Sequence, residues 1–189
     1  RYRSANPQKT VLIGAVSVVA MNGVSLAIAA YPGAWRSIPP QVARVSAYVD
    51  YAKRPEFKRQ SRAGTCMISS LEQQYDEKAC AGLHPSKRNV ALIGDSHAGH
   101  YWLSLAKRFP QYNIIQVNVT GCAMLLDASG LERCKNLRRF AYGPLIERGG
   151  VDHVILAHRW TRNHMPQLRK SIEYLRARNI PVTVIGPIV

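Results

Sequence analysis

The sequence predicts an α/β domain built on a parallel sheet and preceded by one membrane-spanning helix. Two patterns point to it. From residue 90 onward, short apolar, β-branched runs alternate with amphipathic stretches of helical length, as they do where parallel strands are joined by crossover helices. Residues 11–30 read VLIGAVSVVAMNGVSLAIAA, twenty residues without a charge, and a bilayer crossing needs about 20 apolar residues.

Within that apolar stretch only Ser17, Asn22 and Ser25 are strongly polar. Arg1, Arg3 and Lys9 precede it, which places the amino end in the cytoplasm, and Tyr31 and Trp35 follow at the opposite interface, where aromatic residues gather. Gly14, Gly23 and the small residues between them suit packing against other helices. A signal peptide is the competing reading, since Ala27-Ile28-Ala29 resembles a cleavage site, but the stretch exceeds the usual ~7–15-residue apolar region. A buried soluble helix rarely runs so far without a charge. Under either export reading, the chain beyond residue 31 lies outside the cytoplasm. The expected organisation is a cytoplasmic basic flank over residues 1–9, a transmembrane helix over 10–31, a linker over 32–65 and the α/β domain over 66–189.

In the linker, Pro32, Gly33, Pro39 and Pro40 break regular structure, leaving one short helix near residues 42–51. The basic run KRPEFKRQSR at residues 53–62 reads as a solvated face. Alternatively it lies on anionic headgroups, worth about 1 kcal/mol per basic residue near the surface. The four cysteines fall as two local pairs without metal spacing. In an exported segment an even number suggests disulfides, most simply Cys66–Cys80 and Cys122–Cys134, with free buried thiols as the alternative.

The domain's first strand is VALI at residues 90–93, followed by a turn at Gly94-Asp95 and a helix from His97. NIIQVNV at 113–119 is the second strand, 120–136 a loop bracketed by the second cysteine pair, 137–148 a helix and 151–157 the third strand. An amphipathic helix over 165–178 carries Leu168, Ile172 and Leu175 on one side, and 181–185 is a fourth strand ended by Gly186-Pro187. Ser96 therefore sits where a strand's carboxyl end meets a helix's amino end, the ligand-binding edge of an open α/β sheet. Free N–H groups and the helix dipole favour an oxyanion there, so Ser96 is a candidate nucleophile. The bland alternative makes it an N-cap.

With 26 Lys+Arg against 11 Asp+Glu, the chain carries a formal charge of +15. Such an excess suits an anionic partner: nucleic acid, a membrane surface or an acidic polysaccharide. No zinc-finger spacing or RNP-like aromatic string occurs, which argues against nucleic acid.

The string Gly94-Asp95-Ser96-His97 after an apolar strand resembles the first block of the SGNH hydrolase superfamily, whose fold is flavodoxin-like. The longer GDSHAGHYW resembles the SGNH domain at the carboxyl end of bacterial acyltransferase 3 proteins. Gly121 matches the family's glycine block, whose N–H joins that of the nucleophile in an oxyanion hole; read from the residues alone it is equally a turn residue beside Cys122. The third block departs from the pattern. Where the superfamily has G-x-N-D, the strand here ends Leu156-Ala157-His158-Arg159-Trp160. Arg159 is then a candidate for positive charge near substrate and Trp160 for a stacking surface under a sugar ring, although an arginine at a strand end more often meets a loop carboxylate or water.

The family's D-x-x-H motif, source of the catalytic acid and base, occurs nowhere in the sequence. The domain is accordingly expected to be truncated at its carboxyl end and unable by itself to complete catalysis. His97, His100, His153 and His164 have no carboxylate at the family spacing, and His97 is expected to point away from the site. His158 is the best local stand-in, though a strand-end histidine needs no catalytic role. The resemblance implies an upstream membrane acyltransferase domain that draws on acyl-CoA, and no cofactor or metal in the SGNH domain. It further implies O-acyl transfer, usually acetyl, through Ser96 to a hydroxyl of a surface or periplasmic glycan such as lipopolysaccharide. An exported esterase and a non-catalytic glycan-positioning module are the other readings.

Overall fold

The computed structural model describes residues 7–31, 33 and 39–186, divided between two compact units that meet in sequence at Val49 and Asp50. Arg1, Arg3 and Trp35, the expected flank and interface residues, lie outside the described residues.

The first unit contains α1 (Pro7–Ala30) and α2 (Pro40–Ser46). Over Gln8–Ala30, α1 is long and apolar enough to cross a membrane, and none of its most apolar stretch is buried by protein. Its polar side chains are satisfied within the helix: Ser17 Oγ donates to Ile13 O at 2.9 Å, Asn22 Nδ2 to Val18 O at 2.8 Å and Ser25 Oγ to Met21 O at 2.9 Å. Bonding back to the carbonyl four residues earlier is how a helix carries such groups where no water is available.

In the second unit a 3-10 turn (Tyr51–Lys53) leads into α3 (Pro55–Ser61), followed by β1 (Met67–Ile68), α4 (Glu77–Ala81), β2 (Arg88–Gly94) and α5 (Ser96–Arg108). Then come β3 (Tyr112–Val119), α6 (Glu132–Tyr142), α7 (Pro144–Glu147), β4 (His153–Ala157), a second 3-10 turn (Arg162–His164), α8 (Met165–Arg176) and β5 (Val182–Ile185). The strands form one parallel sheet in the order β1-β3-β2-β4-β5. From β2 the chain steps to β3 on one side, then crosses back to β4 on the other, so the switch in strand order falls at β2.

Each central strand is buried on both faces, and its residues divide by parity. Ala91, Ile93, Ile115, Val117, Val119, Val154 and Leu156 join the main core with Leu137, Leu145 and Leu175 from the helices α6, α7 and α8. Val90, Leu92, Ile114 and Ala157 pack instead with Ala98, Tyr101, Trp102 and Leu105 of α5. This double burial is why the strands read as continuous apolar runs rather than alternating ones.

All four expected strands are present, and the structure departs from expectation elsewhere. β1 was not expected. Residues expected as linker belong to the globular unit: the Phe57 ring meets His100 of α5 edge-on, with centroids 6.0 Å apart, and the carbonyl of buried Ser61 accepts from Gln116 Nε2 at 2.8 Å. The basic run is not wholly solvated, because the Arg62 guanidinium lies 4.6 Å over the Trp102 ring and burial lowers its pKa. The expected loop over 120–136 ends early, at the start of α6. The helix expected over 137–148 is two helices, since Gly143 brings the chain close to Arg139 O and Pro144 opens the next helix, where a missing N–H costs nothing.

Candidate active site

Gly94 ends β2 without a side chain because any Cβ there would collide with the carbonyl of Ala157, the last residue of neighbouring β4. One helical turn into α5, Gly99 has the same role, since a Cβ would come within 2.5 Å of Met67 Sδ on β1. Both glycines of the GDSHAGH string thus let the helix that begins at Ser96 sit close on the sheet.

Asp95, not Ser96, caps that helix. Its carboxylate is 3 % exposed and accepts from the His97 N–H at 2.8 Å through Oδ1. The same carboxylate faces His97 Nδ1 at 3.2 Å, and through Oδ2 it accepts from the Arg159 N–H at 3.2 Å and faces His158 Nδ1 at 3.2 Å. The His97 ring therefore turns toward Asp95. One buried carboxylate ties the turn after β2 to the end of β4. With the cap supplied by Asp95, Ser96 is the first helical residue, half-buried, and its Oγ has no hydrogen-bond partner among the described residues.

Gly121 follows β3 at φ +69°, a left-handed conformation that glycine adopts without the penalty of a side chain. It is exposed, a Cβ would meet nothing within 4 Å, and its N–H makes no hydrogen bond among the described residues. Ser96 and Gly121 so stand at the carboxyl ends of adjacent strands β2 and β3, and the switch point, where open α/β sheets take their ligands, opens on the other side of Ser96, between β2 and β4.

At the end of β4, His158 is 8 % exposed, and its Nδ1 faces two acceptors, the Asp95 carboxylate and Arg159 O at 2.8 Å. Nδ1 therefore carries the proton, and Nε2 is left buried without a partner. The ring lies between Trp160, 5.3 Å away, and His164, 4.8 Å away. His164 accepts the Thr161 N–H on Nδ1 at 3.2 Å, and burial, then the neighbouring His158, hold it below the usual imidazole range against the opposing pull of Asp95. The Trp160 indole N–H donates to Ile185 O at 2.6 Å, so this ring braces the end of β5. The Arg159 backbone serves Asp95, while its exposed guanidinium makes no ion pair among the described residues. His153 lies at the other end of β4, bonded to Thr183 Oγ1 at 2.8 Å. Among the described residues no cluster of three or more His, Cys, Asp or Glu side chains is disposed to hold a metal.

Both cysteine pairs are disulfides. Cys66–Cys80 spans the start of β1 and α4, and Cys122–Cys134 ties the residue after Gly121 to α6.

A doubly wound sheet with a G-D-S-H turn at its switch point defines an SGNH-type domain, and comparison with known proteins agrees. Residues 44–189 match the family model of SGNH domains fused to AT3 domains, so the chain belongs to that family. A solved structure described as the periplasmic domain of a lipopolysaccharide acetyltransferase from Salmonella ser. Paratyphi A is similar, with a TM-score of 0.61 and 19 % identity over 76 % of this chain. The chain spans 60 % of that neighbour's length. No curated protein matches.

Proposed function

We propose that the chain is the export-side portion of a membrane O-acyltransferase that places an acyl group, most simply acetyl, on a hydroxyl of a surface or periplasmic glycan. One observation carries this reading: Asp95 takes over the helix cap, leaving Ser96 Oγ unspent after β2, with an unspent Gly121 N–H after the adjacent strand β3. In the reaction Ser96 Oγ attacks an acyl carbonyl, and the N–H groups of Ser96 and Gly121, with the positive end of α5, receive the negative charge that develops on oxygen. Collapse expels the donor's leaving group, which carries off the Ser96 proton, and leaves an acyl-serine; the sugar hydroxyl then attacks that carbonyl, and as the bond to Ser96 breaks its proton returns to Ser96 Oγ. Asp95 is a positioning residue that fixes the turn bearing the nucleophile. The acyl group originates with acyl-CoA and reaches this side through a membrane acyltransferase domain of the same protein. Membership of the AT3-fused family, the basic composition and an amino-terminal helix able to span a bilayer support this arrangement over a free esterase.

The test is full-length protein in membranes with labelled acyl-CoA and glycan, comparing wild type with Ser96→Ala. Transfer should fall about a thousandfold or more while the fold is kept. Undiminished transfer by the variant would make the domain a positioning module.

A further inference from the structure

A cleft of about 310 Å³ opens at the carboxyl end of β1, away from the residues assigned to acyl transfer. One wall comes from the loop closed by Cys66–Cys80 and the other from α6, which Cys122–Cys134 ties down. The Tyr75 and Phe140 rings line it 5.5 Å apart, and Tyr75 is fixed by its O–H, which donates to Gln116 O at 2.8 Å. Around this aromatic pair stand Glu77, whose carboxylate pairs with Arg148 at 3.2 Å, and Gln73, Arg133 and Asn136.

The remaining hydrogen-bonding capacity of Gln73, Arg133 and Asn136 is mostly donor capacity. The Gln73 Oε1 already accepts from Ser69 N at 2.7 Å and Ser69 Oγ at 3.0 Å, and Asn136 Oδ1 accepts from Arg139 at 3.2 Å. Gln73 Nε2 and Asn136 Nδ2 are left with N–H groups to give. Arg133 Nε is buried without a partner, a condition that costs stability unless something else accepts from it. Nothing in the fold uses Leu71, which stands 66 % exposed on the rim. An apolar aromatic surface ringed by a few directed donors suits a sugar, whose C–H face lies on the rings and whose hydroxyl and ring oxygens accept.

Strand register fixes the cleft relative to Ser96. Gly94 pairs with Asn118 and Ile68 with Val119, so the end of β1 is level with Asp95. β3 and Gly121 lie between, and two interstrand spacings amount to about 10 Å. Across the rim the order is the cleft, Gly121, Ser96 and then His158–Trp160. We infer that this cleft is an acceptor subsite that holds a neighbouring sugar of the glycan while one of its hydroxyls is presented at Ser96. The inference rests on the transferase reading above and names where that reaction's acceptor is gripped.

The test titrates full-length protein in detergent micelles with polysaccharide from the producing cell, stripped of its esters with base, and follows binding by saturation-transfer NMR. Wild type, Ser96→Ala, Asn136→Ala and the double variant Arg133→Ala/Asn136→Ala are compared, with thermal unfolding as the control. Binding should weaken about tenfold or more in the double variant and measurably in Asn136→Ala, whose side chain is exposed, at unchanged unfolding midpoints. Ser96→Ala should bind as wild type does. Wild-type affinity in both cleft variants, or no binding by wild type, overturns the subsite. Transfer that survives in Ser96→Ala overturns the reaction assigned to Ser96, and the binding comparison is then read by itself.

Discussion

Against one face of the sheet, α6, α7 and α8 bury Leu137, Leu145 and Leu175 on a floor of Ile, Val and Leu. Against the other, α5 rests on a smaller apolar set together with two fully buried amides, Gln116 and Asn118. Gln116 Nε2 reaches the Ser61 carbonyl, Asn118 Nδ2 donates to Leu92 O at 3.1 Å, and each amide oxygen is left without a partner among the described residues. The first face maximises apolar area removed from water, which stabilises without dictating direction. The second gives up some of that area for directional bonds to β2 and α3 and for the close approaches at Gly94 and Gly99, which seat the helix bearing Ser96 on the sheet. Stability and positioning are divided between the two sides of one sheet.

Truncations on each side should separate these contributions. Leu156→Ala, in the main core at 1 % exposure, should cost about 2–5 kcal/mol in chemical denaturation while acyl transfer per folded molecule stays near wild type. Gly94→Ala forces β2 and β4 apart under the turn that bears Ser96; it should cost about 1–3 kcal/mol, with transfer lost far beyond the loss of folded protein. If Gly94→Ala reduced transfer only in step with stability, the division would collapse.

The smallest effect concerns pH. His164 beside the site and His153 at the far end of β4 are both held below the usual imidazole range, His153 by burial and then by Arg88. The folded chain binds these protons more weakly than the unfolded chain. Their contribution is therefore complete above the unfolded value of 6.5 and is lost as pH falls below it. Denaturation midpoints measured from about pH 7.5 to about pH 5 should decline, and His164→Gln should shallow the decline. An unchanged slope would remove His164 from the account.

The central strands were legible because double burial writes itself as unbroken apolar runs, and the Ser96 turn because a strand, a Gly-Asp pair and a helical pattern follow one another within a few residues. β1 left no such trace: two residues long, it is a strand only because β3 offers it an edge. The role of Asp95 was hidden for a different reason. Its partners His97, His158 and Arg159 come from two strand ends far apart in sequence, and only the register of β2 against β4 brings them together. The direction of the His97 ring was hidden too, because adjacency to Ser96 says nothing about the carboxylate on its other side. The cleft joins two cysteine loops through α6, whose start the glycine- and serine-containing sequence before it disguised as loop.

Those two loops also give the domain a sense of place. Each bond holds a separate wall, closing sequence separations of 14 and 12 residues, and such short closures contribute about 3 kcal/mol each on the chain-entropy model. Where glutathione keeps thiols reduced, the loop behind each wall stays open; where disulfides persist, both are closed. The shape of the cleft between β1 and α6 is thus finished only where disulfides form.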